Sequence, residues 1–282
     1  TFDGVGEWAT TSIADGHGRH IDLLAELRFP HSIGLLYTAF TVAAGFAAND
    51  GEYKLMGLAP FGEPTYRDRI LDELIDLRPD GSFTANPAYV GYLTGERMTN
   101  DRFDRLVGGP PRRADEPIAQ RHCDLARSVQ VVTEEIVLRI ARHAHELTGR
   151  SDAVLGGGVA LNGVANGRLL REGPFERIWV PAAPTDAGSA GGCALWAWHE
   201  VHDGARPARS SRAADDSSAA LLGPRIDPDA VAASLDEAGL PHVRLADPAQ
   251  RAQRVAELLA GGAVVAVATG RMEFGPRALG AR

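Results

Sequence analysis

The sequence predicts an α/β fold, and two patterns carry that prediction. Short apolar runs at 153–155 and 178–180 indicate buried strands. Each run leads through a turn into a helical pattern, near 160–171 and across 187–199, and this alternation is typical of α/β proteins. The second pattern is a long stripe of apolar residues at helical spacing over 122–147, which predicts a helix with one buried face.

The remaining elements follow from shorter signals. Residues 2–14 alternate like a strand, and Asp15-Gly16-His17-Gly18 offers the turn of a hairpin. The segment 52–62 is interpreted as too short and too glycine-broken for a helix, and 78–117 as an irregular insertion. The other predicted elements are helices over 32–48, 66–77, 228–238 and 248–259, and a buried strand over 263–268.

Composition indicates a globular protein of about two domains. The chain has 282 residues, of which 44% are hydrophobic and 23% charged, and this excludes a disordered or fibrous class. Its net charge of −8 argues against a global electrostatic grip on nucleic acid or on an anionic membrane. No apolar run approaches the ~20 residues that span a bilayer. The two cysteines, Cys123 and Cys193, are far apart and in no metal-binding spacing, so we expect a reducing, cytoplasmic location.

A domain boundary is predicted in the polar, non-periodic stretch 203–218. The predicted division is a first domain at 1–202, a linker at 203–222 and the start of a second domain at 223–282.

A glycine-rich turn lies between the first of these strands and its helix. Gly156, Gly157 and Gly158 permit close approach of a ligand to the backbone, and a helix N-terminus offers N–H groups to a phosphate. Asn162 falls in the first helical turn, where its amide could reach a ribose or a phosphate. The alternative is a tight strand-to-helix turn without a ligand, because the dinucleotide-binding and P-loop patterns are both missing.

Two carboxylates are candidates for holding a cation. Asp186 follows the next strand in a loop of small residues, where it would either bind a cation or cap the following helix. Asp3 lies between Phe2 and Gly4 near the start of the chain, and its alternative role is that of a turn residue.

The candidate cationic residues are one lysine and two arginines. Lys54 lies in a mostly apolar segment, where it would pair with a phosphate or extend to solvent. Arg271 and Arg277 lie on a glycine-punctuated loop, and guanidinium groups match the geometry of phosphate and carboxylate. The alternative for these arginines is a pair with Glu273 and solvation.

Taken together and in order, five segments resemble one family closely. The segments are 29–37 (FPHSIGLLY), 51–60 (GEYKLMGLAP), 157–162 (GGVALN), 184–188 (PTDAG) and 270–280 (GRMEFGPRALG). They resemble the carbamoyltransferases of nodulation-factor and antibiotic biosynthesis, including the tobramycin and cephalosporin O-carbamoyltransferases. The resemblance extends over nearly the whole chain.

The resemblance implies a fold and a reaction. The first domain is expected to be a partial actin- or sugar-kinase-like ATPase fold, similar to the tRNA threonylcarbamoyl-transfer protein. The second is expected to be the start of a domain similar to threonylcarbamoyl-adenylate synthase. In that scheme ATP and carbamoyl phosphate give carbamoyl-adenylate, and the carbamoyl group then passes to a hydroxyl of a natural-product or sugar acceptor beside a divalent iron.

The resemblance also assigns roles to residues. Asp3 and Asp186 correspond to two aspartate ligands of the metal, expected to be Fe²⁺, and Asp3 and Lys54 are the candidate catalytic residues. Gly157, Gly158 and Asn162 correspond to the nucleotide-binding turn. Arg271 and Arg277 are expected to hold an oxygen of carbamoyl phosphate or of the adenylate.

The family's histidine ligands are expected upstream of Thr1, and most of the second domain is expected after Arg282. We therefore expect this chain to be a fragment, inactive by itself. The expected partners are carbamoyl phosphate and a small hydroxyl-bearing acceptor, without nucleic acid or membrane, and a homodimer is left open. Two alternatives remain: a tRNA threonylcarbamoyl-transfer protein and a non-catalytic nucleotide-binding relative.

Overall fold

A computed structural model describes residues 1–95, 97–205, 220–267 and 270–278. The chain forms two compact units, Thr1–Arg206 and Pro207–Arg282. Helices occur in both units, and the first also contains three small sheets, so the prediction of an α/β protein is confirmed at that level. Most of the predicted linker lies outside the described residues.

The first unit contains seven strands and seven α-helices among its described residues. The strands are β1 (Phe2–Gly6), β2 (Ala9–His17), β3 (His20–Arg28), β4 (Ile75–Leu77), β5 (Phe83–Ala85), β6 (Asp152–Val154) and β7 (Arg177–Trp179). The helices are α1 (Ile33–Ala43), α2 (Glu52–Leu58), α3 (Arg67–Arg69), α4 (Asp101–Leu106), α5 (Gln120–Thr148), α6 (Gly163–Glu172) and α7 (Ser189–Trp196). Short 3₁₀ turns cover Ala59–Phe61, Pro87–Tyr89, Gly158–Leu161 and Asp186–Gly188, and π-helical turns cover Ile70–Leu74 and Ala197–Val201.

The three sheets of this unit differ in topology. Strands β1, β2 and β3 form an antiparallel sheet in that order, β4 pairs antiparallel with β5, and β6 pairs parallel with β7. The β2–β3 turn falls at Gly18 and Arg19, between the paired residues His17 and His20. The predicted turn at 15–18 is therefore placed too early, because Asp15 and Gly16 still pair across the sheet.

Helix α5 forms the centre of the core. Its predicted apolar stripe is confirmed, since Leu125, Val129, Val132 and Ile136 have no exposed surface. Burying side chains of this size stabilises a fold by ~1.5–3 kcal/mol each. Helices α1, α2 and α6 pack against α5, so α2, which carries Lys54, and α6, which begins after Asn162, share this support.

Three sequence interpretations are wrong. The segment 52–62 does contain a helix, α2, because Leu55 packs fully into the core and offsets the cost of the exposed Gly57. The pattern over 66–77 ends in strand β4, since Ile75–Leu77 pairs with β5. The apolar run 263–267 forms no strand, and Val264 is fully exposed; residue 268 lies outside the described part.

The second unit contains α8 (Pro228–Glu237) and α9 (Pro248–Ala260). Each begins with an aspartate cap followed by proline: Asp227 accepts from the N–H of Asp229, and Asp247 accepts from the N–H of Ala249, both at 3.0 Å. Neither helix has a buried side chain. In the described part of this unit the buried residues are Ala220 and Glu273.

Within the described ranges, every helix is too short or too polar to cross a lipid bilayer.

Candidate functional site

The predicted glycine turn is held by main-chain bonds to two distant segments. It follows β6 and leads into the 3₁₀ turn Gly158–Leu161. The N–H of Phe2 donates to the carbonyl of Gly156 at 2.8 Å, and the N–H of Gly157 donates to the carbonyl of Pro184 at 2.6 Å. Three segments that are far apart in sequence therefore meet at this turn.

Gly157 is required by this close approach. Its φ is +89°, a left-handed conformation, and a Cβ at this position would lie 2.0 Å from the carbonyl oxygen of Phe2. No residue with a side chain fits here without moving β1. The turn is therefore built around close backbone packing.

Asp3 lies against the same turn. Its Oδ1 accepts the N–H of Gly4 at 2.7 Å and the N–H of Gly158 at 3.3 Å. The hydroxyl of Ser32 donates to the backbone carbonyl of Asp3 at 2.9 Å and also caps α1 by accepting the N–H of Leu35 at 3.0 Å. The half-buried Asp3 carboxylate is thus fixed at the junction of β1, α1 and the glycine turn.

The two N–H groups expected to receive a phosphate are both in use. Gly157 donates to Pro184, and Gly158 donates to Asp3. A phosphate could reach these two N–H groups only by replacing those bonds.

Asp186 lies on the loop that contacts the turn. It follows Pro184 by two residues, its side chain is exposed, and it opens the 3₁₀ turn before α7. Neither this 3₁₀ turn nor α7 has a side-chain cap, so the alternative that Asp186 caps the helix is wrong. The Asp186 carboxylate is therefore accessible to solvent. Its loop contacts the glycine turn, which also contacts Asp3.

The residues present do not complete a metal site. Across the described ranges, no group of three or more His, Cys, Asp or Glu side chains is arranged to hold a metal ion. Two carboxylates supply fewer ligands than iron or other divalent cations normally take in proteins.

Asn162 is held in a reciprocal pair with Gln130 of α5. Its Nδ2 donates to Oε1 of Gln130 at 2.9 Å, and its Oδ1 accepts from Nε2 of Gln130 at 3.1 Å. The same Oδ1 caps α6 by accepting the N–H of Ala165 at 3.0 Å. Asn162 is buried, so its amide in this structure positions the turn and α6 and does not point to open space.

The pair belongs to a larger buried network. The hydroxyl of Tyr37 donates to Oε1 of Gln130 at 2.9 Å, and Nε2 of Gln130 also donates to Glu134 at 3.0 Å. Arg168 of α6 pairs with the other oxygen of Glu134 at 3.2 Å. Burial, with smaller effects from Glu134 and Glu52, raises the pKa of Tyr37 well above its ordinary value, so the phenol stays a donor.

Lys54 takes no part in these contacts, and the two arginines belong to the other unit. Lys54 is exposed on α2, with its Nζ 5.7 Å from the centre of the Tyr53 ring. Among the described residues, no hydrogen bond or ion pair ties it to Asp3 or to the glycine turn. Arg271 and Arg277 belong to the second unit, where Nη1 of Arg271 donates to the carbonyl of Gly223 at 3.0 Å and Arg277 is half-buried.

Comparison with known protein families decides the family. A model described as carbamoyltransferase N-terminus matches residues 1–195, and one described as carbamoyltransferase C-terminus matches residues 256–282. The chain belongs to the carbamoyltransferase family.

Individual relatives of this carbamoyltransferase-family chain match it along its whole length. The uncharacterized protein sll1178 of Synechocystis sp. is 50% identical over all of this chain and 45% of its own length. Nodulation protein NolNO of Sinorhizobium fredii is 36% identical over 100% of this chain and 39% of its own length. Nodulation protein NolO of Bradyrhizobium diazoefficiens is 33% identical over 100% of this chain and 48% of its own length. The chain thus spans less than half the length of these relatives.

Sequence reasoning missed Gln130 and Tyr37 in this carbamoyltransferase-family chain. A signal was present in the sequence, because Gln130 is a polar residue beside the apolar stripe of α5. A buried glutamine needs partners, yet two of its three partners, Tyr37 and Asn162, are 93 and 32 residues away, and only the tertiary structure identifies those two.

Proposed function

We propose that the protein takes part in ATP-dependent O-carbamoyl transfer. Carbamoyl phosphate would first lose phosphate to water, and the resulting carbamate oxygen would attack the α-phosphorus of ATP to give carbamoyl-adenylate and pyrophosphate. The carbamoyl group would then pass to a hydroxyl of a natural-product or sugar acceptor. The observation that carries this proposal is the family match at both ends of the chain. The meeting of Asp3, the glycine turn and the loop of Asp186 supports a site in the first unit.

The chemistry of that site agrees with carbamoyl transfer. The last step joins the acceptor oxygen to the carbamoyl carbon and releases AMP, while the hydroxyl proton leaves to a base or to water. Asp3 is the candidate base, because two N–H groups fix its Oδ1 and orient the carboxylate. Gly157 and Gly158 are proposed to line the nucleotide, with Asn162 acting by holding the turn in place.

The other predicted residues keep proposed roles. Arg271 and Arg277 are candidates for neutralising phosphate or adenylate oxygens in the second unit. Lys54, with its exposed ammonium, is a candidate for attracting an anionic substrate.

Bound iron is proposed only with further ligands. Asp3 and Asp186 would supply two carboxylate oxygens, and a metal there would act by polarising a carbonyl oxygen. Since the described residues do not complete the site, no step above depends on the metal.

An actin- or sugar-kinase-like arrangement of the first unit and a cytoplasmic location are also proposed. The first depends on the family resemblance. The second is supported by two free thiols, the buried Cys123 and the exposed Cys193.

The decisive test removes the charge of Asp3. In a protein of the relatives' full length that carries this chain, Asp3→Asn should lower carbamoyl transfer by ~100-fold or more, as expected for loss of a general base. Asp22→Asn, an exposed carboxylate on β3 of the same sheet, is the matched control and should retain full activity.

Product formation and metal content are then measured on the same samples. Equal loss in both variants, or full activity in Asp3→Asn, would overturn the role of Asp3. If Asp186→Ala keeps both its metal and its activity, Asp186 is not a ligand. Absence of carbamoyl-adenylate formation by the unsubstituted full-length protein, with ATP and carbamoyl phosphate supplied, would overturn the proposed function itself.

A further inference from the structure

A polar cavity lies in the first unit, and no residue of the glycine turn lines it. Its volume is about 480 Å³. The lining residues are Arg69, Glu73, Tyr89, Arg102, Arg105 and Leu106. Four of them, Tyr89, Arg102, Arg105 and Leu106, belong to the segment 78–117 that the sequence predicted to be an irregular insertion.

Packing holds the walls of this cavity in place. Helix α4 is capped by Asn100, whose Oδ1 accepts the N–H groups of Arg102 and Phe103 at 3.0 and 3.2 Å. The next residues along α4, Phe103 and Leu106, are buried, and Leu106 also contributes to the cavity wall. The backbone that presents Arg102 and Arg105 is therefore fixed, and the two arginines share a face because they are three residues apart.

Three side-chain contacts connect the walls. Nη1 of Arg69 donates to the carbonyl of Leu106 at 3.2 Å, which joins the end of α3 to the end of α4. The guanidinium of Arg102 lies 5.6 Å from the centre of the Tyr89 ring. The hydroxyl of Tyr89 in turn donates to Oε2 of Glu73.

The arginines of the cavity lack carboxylate partners among the described residues. The two acids of α4, Asp101 and Asp104, pair instead with Arg97, at 3.2 and 3.0 Å. No ion pair within the described part of the chain involves Arg69, Arg102 or Arg105. In a chain of net charge −8, three guanidiniums around one cavity create a local positive field.

Both the carboxylate and the arginines of the cavity affect the pKa of the Tyr89 phenol. Its hydrogen bond to Glu73 is the main cause that raises the pKa of the phenol, and Arg102 and Arg105 act in the opposite direction. The cavity thus combines guanidinium donors for an oxyanion with a carboxylate–phenol pair that suits hydroxyl groups.

We propose that this cavity binds a small phosphorylated sugar. The guanidiniums of Arg102 and Arg105 hold the phosphate, with Arg69 adding positive charge, and Glu73 and Tyr89 bind sugar hydroxyls. The volume is in the range of small-ligand sites. The proposal goes beyond carbamoyl transfer and does not depend on it, because binding is measured without turnover.

The test is calorimetric titration with three probes: glucose 6-phosphate, inorganic phosphate and glucose. Glucose 6-phosphate should bind ~10-fold or more tightly than inorganic phosphate, and glucose should give no detectable binding. Arg102→Gln and Arg105→Gln should each weaken binding of glucose 6-phosphate by ~10-fold or more, since each removes a charge-assisted hydrogen bond. Tyr89→Phe should weaken the binding of glucose 6-phosphate more than the binding of inorganic phosphate.

Arg113→Gln is the matched control. It removes one exposed arginine from the same segment, but Arg113 pairs with Asp115 at 3.2 Å and does not line the cavity. The Arg113→Gln variant should bind glucose 6-phosphate as tightly as the unsubstituted protein does. The three arginine variants should keep the same unfolding temperature, because these arginines are exposed.

Three outcomes would overturn the proposal. Equal affinities for glucose 6-phosphate and inorganic phosphate would show a simple oxyanion site and reject the sugar. Unchanged affinity in Arg102→Gln and Arg105→Gln would place binding elsewhere. Equal weakening by Arg113→Gln would show non-specific attraction to charge.

Discussion

In the first unit, α5 buries a stripe of apolar side chains, whereas in the second unit α8 and α9 bury none. Leu125 and Ile136 are fully inside the core of the first unit. In the second unit Val231 and Leu259 keep 41% and 55% of their surface exposed. The same kind of amphipathic pattern therefore leads to two different degrees of packing.

The helices α8 and α9 on one side and α2 on the other show two ways in which a helix is defined. Helices α8 and α9 have side-chain caps and prolines at their starts, which are local signals. Helix α2 has no side-chain cap and contains Gly57, and packing of Leu55 defines it. Local signals therefore mark the starts of α8 and α9, whereas α2 depends on a tertiary contact.

The largest expected effect is on hydrogen exchange. Amides in the middle of α5 should exchange at least ~1,000-fold more slowly than those of α8 and α9, because opening α5 exposes the core. Exchange measured by mass spectrometry on peptides from both units checks this. Equal protection would show that α8 and α9 have buried contacts.

The next largest difference between the units is expected in how much a glycine-to-alanine substitution lowers the free energy of unfolding. Gly157→Ala should lower the free energy of unfolding by at least ~3 kcal/mol, because it combines a positive φ with a clash against Phe2. Gly261→Ala in the second unit, where a Cβ would make ordinary contacts no closer than 3.4 Å, should change it by less than ~0.5 kcal/mol. Urea denaturation of both variants makes the comparison, and similar losses would contradict it.

A buried polar change tests the network of the first unit. Gln130→Leu should lower the free energy of unfolding by ~2–4 kcal/mol, since Tyr37 and Asn162 would lose their partner. Thr133→Val is the matched control on the same helix: its hydroxyl is buried without a hydrogen bond among the described residues, so its loss should be neutral or stabilising. Thermal unfolding distinguishes the two. A neutral Gln130→Leu would show that the network does not hold α5 to α6.

The smallest effect is expected on the surface of the second unit. Leu259→Gln should change the free energy of unfolding by less than ~0.5 kcal/mol, because more than half of the side chain is already in water. A loss above ~1.5 kcal/mol in the same denaturation assay would show that α9 is covered.

The sequence predicted the elements whose signals are local or strongly periodic. Helix α5 was found from its stripe, and α8 and α9 from helical patterns that begin at Pro228 and Pro248. The run at 263–267 was misinterpreted because apolar residues favour a strand only where a partner strand can pair, and no such partner lies among the described residues. β-Pairing is non-local and leaves little trace in a short run.

The candidate site was predictable in its residue types but not in its bonds. Asp3, Gly157, Gly158 and the loop of Asp186 were all named from the sequence, and the structure places Asp3 and that loop against one turn. The engagement of Asn162 with Gln130 was not predictable, because it depends on how α5 packs against α6. Whether these residues act in catalysis stays a prediction.

The turn at Gly157 is anchored at Phe2 and Pro184 by bonds between main-chain atoms alone. Such anchors do not depend on the identity of the side chains at positions 2 and 184, provided that the backbone keeps its path. Side chains around the turn can therefore be exchanged while the scaffold that presents Asp3 remains the same. Variants that probe the proposed site are accordingly best made at residues that surround the turn, with Gly157 left untouched.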